Sequence, residues 1–415
     1  MYDLCVVGGG MSGMTAAITA ARNGKKVILI EKNKKLGKKI YATGNGRCNI
    51  TNTSIDYARD YNSSYPDYEV FLSKAFGRNP YNKVLHFFES IGIHTMCLDE
   101  TWVYPASLQA SSVVWSMNDA LLALGVDILY QNEVDNIRKD DNGFLLTCST
   151  KTIIAKKVIL ANGSKAYSKL GGGESGYDIA KSLGHSIIPV RPSLCGLVSK
   201  EDLSSLSGVR AKAKATLAAE DDNFQRITEI GELQINDYGV SGIMIFNLSS
   251  IIGKYLLENK TPVLHIDFLN HINIEQKKEQ VLKFTDIIDS IDIAKNRTIL
   301  GFLNTFVNDK IGAYVCNMYG VDVKTKVCNV DTEIIDKIIY TLSNFKLHIE
   351  SLKDFDNGQI CAGGVDISQI NPEDFSSKIC DDLYIVGELL DIDGLCGGYN
   401  ITFAALSALA AGKAI

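Results

Sequence analysis

The chain has no apolar run long enough to span a bilayer, no CxxC pair, no zinc-type spacing of histidine or cysteine, and no excess of positive charge. Each shortage excludes a class. A membrane-spanning helix needs about 20 consecutive apolar residues, so no membrane partner is expected. The formal net charge of −6 offers nothing to a phosphate backbone, so no nucleic-acid partner is expected either. Six histidines without metal-ligand spacing read as packing or surface residues, so no metal is expected. Ten cysteines are scattered without pattern. The first residues carry no basic segment leading into an apolar stretch and a small-residue cleavage site. The expectation is a cytoplasmic protein with reduced thiols. Low-complexity tracts and internal repeats are absent. A chain of 415 residues exceeds one ordinary domain, so two or three are expected.

What the chain does have is concentrated at its ends. Leu4-Cys5-Val6-Val7 runs into Gly8-Gly9-Gly10-Met11-Ser12-Gly13, and a second apolar run, Val27-Ile28-Leu29-Ile30, stops on Glu31. This strand, glycine turn, helix, strand and acid are the full context of a dinucleotide site. Gly8 permits the tight turn, Gly10 lets backbone approach a pyrophosphate, and Gly13 lets the helix pack closely. The helix from Ser12 to about Asn23-Gly24 points its positive end at the phosphates. Glu31 accepts hydrogen bonds from a ribose and repels a 2′-phosphate, which speaks against NADP at this position.

At the other end, Leu383-Tyr384-Ile385-Val386-Gly387-Glu388 leads through Asp391 and Asp393 to Gly397-Gly398-Tyr399-Asn400 and a small-residue helix over Ile401–Ala411. Asn400 reads as its N-cap. A helix start there suits the N1–C2 edge of a flavin, where it would stabilise the reduced anionic ring. The two ends together point to a flavin dinucleotide.

Between them, Lys35, Lys38 and Lys39 precede Thr43-Gly44-Asn45-Gly46-Arg47-Cys48-Asn49, a stretch suited to lie along a pyrophosphate and beneath a ring. Val126–Tyr130 and Phe144–Cys148 read as strands, Tyr81–Ile91 as an amphipathic helix, and Val158–Ala161 as a buried parallel strand opening at Asn162-Gly163. Val209–Leu217 alternates with period two. From Ile274 to Leu342 the period becomes helical, with Ile334, Ile335, Ile338 and Ile339 in one stripe behind Asp331 or Thr332. The expected fold class is α/β, with a split Rossmann-like cofactor domain (1–188 and 356–415), an inserted β-rich domain (189–269 and 344–355) and a small helical domain (270–343).

On these residues the chain resembles the BaiN-like family of FAD-dependent oxidoreductases. The likeness rests on VVGGGMSGMTAAITAARNGKKVILIEKN, LGKKIYATGNGRCNITN, VYPASLQASSVV, ILANGS, CAGGVDISQINP and LYIVGELLDIDGLCGGYNITFA, dense at both ends and thin in the middle. The resemblance implies the two-dinucleotide-binding-domain fold of glutathione reductase and fumarate reductase, with non-covalent FAD. It implies that Gly8, Gly10, Met11, Ser12 and Gly13 hold the pyrophosphate, Glu31 the ribose, Lys32 the adenine side and Lys39 the phosphates. Thr43, Gly46, Arg47, Cys48 and Asn49 would lie along the ribityl chain and ring. The backbone of Val134 would read adenine, and Ala161, Asn162 and Gly163 would border the adenosine. Glu388, Asp393, Gly398, Asn400 and Ile401 would line the flavin end. The chain departs from the family at Asn162-Gly163, at Ile401-Thr402-Phe403 and at Trp102, where Thr-Gly-Gly, Leu-Gln-Trp and a basic residue are usual.

The leading expectation is a flavoenzyme that draws electrons from transiently bound NADH or NADPH and passes them to a small organic acceptor, an enone-type double bond among the candidates. Gly171–Gly176 follows a polar loop and reads as part of the cofactor domain, not as a nicotinamide site. The alternatives are a thiol–disulfide flavoenzyme using Cys48 and Cys396, a flavin-binding redox sensor, and a plain NAD dehydrogenase. A covalent flavoenzyme of the succinate or fumarate type is disfavoured because no histidine follows the first acid closely. Tyr104, Arg191 and Tyr238 are the polar candidates for the pocket. The catalytic residues, the substrate and the oligomeric state are not legible from the sequence.

Overall fold

The computed structural model describes residues 1–218, 227–272 and 296–415. Part of the helical stretch expected from Ile274 therefore lies outside the described residues. Two compact units divide the chain: residues 1–193 with 355–415, and residues 194–354.

The first unit is built on a seven-stranded sheet. Strand β1 (Tyr2–Val7) lies at its centre. On one side it pairs in parallel with β2 (Val27–Glu31), which pairs in turn with Asp127–Tyr130. On its other side runs Thr152–Leu160, also parallel. That long strand is shared. Its first half joins an antiparallel meander with Gly143–Cys148 and Val134–Asp140, and its last three residues pair in parallel with Leu383–Ile385. All five residues of β2 and the last four of β1 are buried, as expected of strands covered on both faces.

The register decides where a site can form. Val7 is level with both Ile30 and Leu160, and Leu160 is level with Ile385. Four parallel strands therefore end in one row, and the chain leaves them at Gly8, Glu31, Ala161 and Val386. β1 connects to one neighbour through helix α1 (Met11–Arg22), while its other neighbour arrives from a distant part of the chain. This is a topological switch point, where open α/β sheets bind ligands beyond their carboxyl ends.

Helix α1 and the terminal helix Tyr399–Lys413 cover the sheet together. Both are rich in buried small residues. A Cβ at Gly412 would sit 2.7 Å from Thr19 Cβ and 2.9 Å from the Ala16 carbonyl oxygen. Only a residue without a side chain lets the two helices come this close.

The second unit is a closed six-stranded barrel in the order Leu197–Ser199, Gly239–Ser241, Ile227–Asn236, Arg210–Ala218, Val263–Asp267 and Phe345–Leu352. Along Arg210–Ala218 the residues Ala213, Ala215 and Leu217 face the core, while Lys212 is exposed, which is the alternation that the sequence shows. Helix Ile243–Leu257 and three shorter helices, Ile299–Leu303, Asp309–Met318 and Thr332–Ser343, share the barrel's apolar core. Asp331 caps the last of these by accepting from the Glu333 N–H at 2.8 Å, and Ile335, Ile338 and Ile339 form its buried stripe. Among the described residues, no helix is long and apolar enough to cross a membrane.

Candidate functional site

The glycine turn after β1 does three separate jobs. A Cβ at Gly13 would overlap the Gly8 carbonyl oxygen, and one at Gly8 would overlap the Ala161 carbonyl oxygen. These two glycines allow helix, turn and neighbouring strand to close on one another. Gly10 is different. Its backbone is extended, with φ −81° and ψ −167°, and a Cβ there would meet nothing within 4 Å. It opens onto free space at the start of α1, where the first-turn N–H groups have no partner within the helix. A phosphate ester fits such a place.

Glu31 is buried at the end of β2. Its Oε2 accepts from the Gly9 N–H at 2.8 Å, and its Oε1 accepts from the backbone and side-chain N–H of Asn33 at 2.7 and 2.6 Å. A carboxylate has about four acceptor positions, so the acid that anchors the glycine turn keeps one unused among the described residues. Gln131 and Asn132 donate backbone N–H groups to the carbonyls of Asn33 and Glu31 at 3.1 Å each, which brings Val134 past this end. A recess of about 370 Å³ beside Val134 is lined by Glu133, Asp135 and Asp178 among others. Its acidic walls disfavour phosphate. Lys32 lies 3.8 Å from Glu133.

The loop at Gly171–Gly176 joins this end. A Cβ at Gly171 would lie 2.8 Å from Asn33 Nδ2, and one at Gly173 would lie 2.9 Å from Lys32 Nζ. The sequence places this loop in the cofactor domain but gives no sign that it rests on the residues around Glu31. Asn162, beyond the strand at Ala161, carries a buried Oδ1 with no partner among the described residues. A buried acceptor left unpaired in this way suits a ligand's hydrogen-bond donor.

The C-terminal segment closes on the same turn. A Cβ at Gly387 would sit 2.5 Å from Ser12 Oγ, at the head of α1. Glu388 accepts from Lys39 Nζ at 2.7 Å and from Ser164 Oγ at 3.1 Å, both at Oε2. Of the three lysines read along the pyrophosphate, Lys39 is thus taken up by Glu388, Lys35 is exposed, and Lys38 reaches the Asn33 side-chain oxygen at 3.4 Å.

The segment from Thr43 to Asn49 meets the closing helix. Gly44, Asn45, Gly46 and Cys48 all have positive φ, so the chain doubles back tightly and leaves Gly46 and Arg47 exposed. The buried Asn49 amide donates to the carbonyls of Thr51 and Val103 at 3.0 Å each. A Cβ at Gly398 would come within 2.9 Å of Thr51 Cα, and Thr402 Oγ1 donates to Thr51 Oγ1 at 2.7 Å.

The helix start corrects one expectation. The N-cap is Gly398, at φ +90°, and the helix begins at Tyr399. Asn400 lies inside the first turn and uses its amide elsewhere. It accepts from the Gly394 N–H at 2.8 Å and donates to the Gly394 carbonyl at 2.7 Å. It therefore fixes the Asp393–Gly394 loop and does not cap the helix. The buried Asp393 accepts from Ser193 Oγ at 3.1 Å, and Ile401, next to Asn400, is half-buried.

Two other candidates are clarified. Cys48 is fully buried, and burial pushes its thiol up to about 12, partly offset by the Thr43 hydroxyl. Such a thiol is a poor nucleophile. Tyr104 is buried against the Thr43–Asn49 loop, with a Cβ at Gly44 3.5 Å from its ring, and burial raises its hydroxyl pKa.

Residues 2–414 match the HI0933-like protein Rossmann domain family. The chain is 35% identical over 417 residues to the 3-dehydro-bile acid delta(4,6)-reductase of Clostridium scindens, covering 100% of this chain and 99% of that protein. It is 26% identical over 419 residues to the ribosomal RNA dihydrouridine synthase of Escherichia coli, covering 99% and 96%. Among solved structures, the open conformation of a flavocytochrome c3 fumarate reductase aligns with a TM-score of 0.48 at 15% identity, over 99% of this chain and 77% of that one. With the family matched from end to end, the chain belongs to the HI0933-like family of Rossmann-type, FAD-dependent oxidoreductases.

Proposed function

We propose that this chain is a cytoplasmic enzyme that holds FAD without a covalent link, takes electrons from NADH or NADPH, and reduces an enone-type carbon–carbon double bond of a small organic acceptor. The observation that carries the acceptor class is the full-length likeness to a reductase named for the delta(4,6) bonds of a 3-dehydro bile acid, in which the alkenes are conjugated to a carbonyl. Three features support the rest. No histidine occurs between Glu31 and His86, where an attachment residue would be sought. The carboxylate of Glu31 suits an unphosphorylated ribose. The Gly171–Gly176 loop rests on Asn33 and Lys32 and not at a strand end, so a nicotinamide would visit without a dinucleotide fold of its own.

The residues fit the cofactor. Gly10 and the head of α1 offer a cradle for the pyrophosphate, Glu31 keeps an acceptor for the ribose, and the buried Oδ1 of Asn162 lacks a donor. When bound, FAD supplies the hydride chemistry. The protein's part is to orient and tune. Gly387 meets Ser12 at the head of α1, and the Lys39–Glu388 pair holds the residue that follows it. The start of the Tyr399–Lys413 helix would offer positive backbone charge to the reduced ring.

A second reading is reduction of uridine in RNA, the activity named for the Escherichia coli relative. The net charge of −6 opposes a polyanionic partner, and this reading ranks second. A thiol–disulfide route is disfavoured by the burial of Cys48.

Anaerobic reduction by NADH and by NADPH, followed by reoxidation with a 3-oxo-Δ4,6 bile acid, a uridine-containing RNA or a disulfide, tests the reading. Fast reduction and reoxidation by the bile acid alone are expected. Reoxidation by the RNA or the disulfide alone would overturn it.

A further inference from the structure

Arg191 lies on strand Ile187–Ser193, which pairs antiparallel with Ile360–Val365. The register slips between Ile188 and Arg191. The slip is built in: Gly363 has φ +82°, and a Cβ there would overlap the Pro189 carbonyl oxygen. Bulges of this kind re-aim the side chains that follow them. Beyond it the pairing is regular, Arg191 with Ala362 and Ser193 with Ile360, so Arg191 and Ser193 leave the strand on the same side. Ser193 Oγ donates to Asp393 Oδ2 at 3.1 Å. Arg191 is therefore sent toward the loop between Glu388 and Gly394.

The near acid there is committed. Asp391 accepts from the Ser64 N–H at 2.9 Å and from Ser63 Oγ at 3.2 Å. Burial raises its carboxyl pKa, while those hydrogen bonds and the charge of Arg191 pull it back. The other half-buried cations of the site are also engaged, Lys39 with Glu388 and Lys32 with Glu133. Arg191 acts on Asp391 through its charge, but its Nε is buried and no acceptor reaches it among the described residues. A permanent cation with a desolvated, unpaired donor is costly to keep, and a ligand oxygen would satisfy it.

We propose that the Arg191 guanidinium binds the carbonyl oxygen of the acceptor and stabilises the negative charge that forms on it. The inference rests on the enone reading above. In that reaction two electrons and a hydrogen reach the β-carbon as hydride from the reduced flavin. The alkene pair moves to join the α-carbon to the carbonyl carbon, and the carbonyl π pair passes to oxygen. The resulting enolate takes a proton from water at the α-carbon, and the flavin is left oxidised for NAD(P)H to reduce again. An oriented cationic donor at that oxygen is a common source of rate enhancement.

The test compares wild type, Arg191→Met and Arg191→Lys as FAD-loaded full-length protein. One readout is reoxidation by 2-cyclohexen-1-one, and the other is binding of 4-nitrophenolate, an enolate mimic, to the oxidised protein. The Met variant should lose roughly 10²–10³-fold in reoxidation and bind the phenolate at least tenfold more weakly. Flavin content and the rate of reduction by NADH should be unchanged, and the Lys variant should recover part of both losses. Equal phenolate affinity and equal reoxidation in wild type and the Met variant overturn the role of Arg191 and leave the enone reading standing. A wild type that no enone reoxidises overturns that reading, and this proposal with it. If the Met variant does not retain flavin, the Lys variant and Arg191→Gln carry the comparison.

Discussion

Lys39 Nζ lies 2.7 Å from Glu388 Oε2, a bond between residues 349 positions apart. Both side chains are about three-quarters buried, with 25% and 21% exposure, and they tie the stretch after the first βαβ unit to the end of the last strand. Replacing Lys39 by Met leaves Glu388 with Ser164 as its remaining donor. A double-mutant cycle of Lys39→Met and Glu388→Gln, followed by urea unfolding, should show a coupling of about 1–3 kcal/mol, between the ranges for exposed and fully buried pairs. Additive losses would contradict a working pair.

The glycines of the turn should separate under substitution. Gly13→Ala forces a methyl group into the Gly8 carbonyl, and overpacking of this kind costs about 1–3 kcal/mol or more. It should lower the melting temperature of the apoprotein by several degrees. Gly10→Ala meets no protein atom within 4 Å. It should leave the apoprotein's melting temperature unchanged and weaken FAD binding at least tenfold. The reverse pattern would mean that the open space at Gly10 does not face the cofactor.

Glu31 serves the fold in its own right. Glu31→Ala removes the acceptor of the Gly9 N–H and of two Asn33 donors. Hydrogen bonds to a charged group are worth about 1.5–3 kcal/mol each at most. The apoprotein should therefore lose stability measurably, before any cofactor is added. An apoprotein of unchanged stability that merely binds FAD less well would show that the acid is only a ligand contact.

The burial of Cys48 has a signed pH consequence. Its thiol is held up to about 12, from an ordinary value near 9. A group whose folded pKa is raised keeps its full contribution below the unfolded pKa and loses it as pH climbs through the folded one. Wild type should therefore lose stability faster than Cys48→Ala between pH 9 and about 12. At pH 8, iodoacetamide should label the exposed Cys97 and Cys328 and spare Cys48 in the folded protein. Rapid labelling of Cys48 would revive a redox role.

The parts legible in the sequence are those whose cause is local. A glycine turn between apolar strands, an acid closing β2, the alternation of Arg210–Ala218 and a cap at Asp331 or Thr332, which the structure gives to Asp331, all follow from neighbours a few residues apart. What was not legible depends on contacts across the fold. Asn400 has the chemistry of an N-cap, yet a glycine two residues earlier turns the chain and frees the amide for Gly394. Asn33 and Ser164 fall in segments that carry the family resemblance, but their roles arise only where Glu31 and Glu388 come to rest. The slip at Pro189 that re-aims Arg191 is made possible by Gly363, on a strand more than a hundred residues away.

The central claim is that both ends of the chain build one FAD site. The most direct measurement is the flavin released by acid from the purified, folded full-length protein after incubation with FAD and removal of excess. The account predicts one FAD per chain, fully released, with retention abolished by Gly10→Ala combined with Glu388→Gln. A folded protein that stays colourless after incubation, or flavin that remains attached after acid treatment, would contradict it.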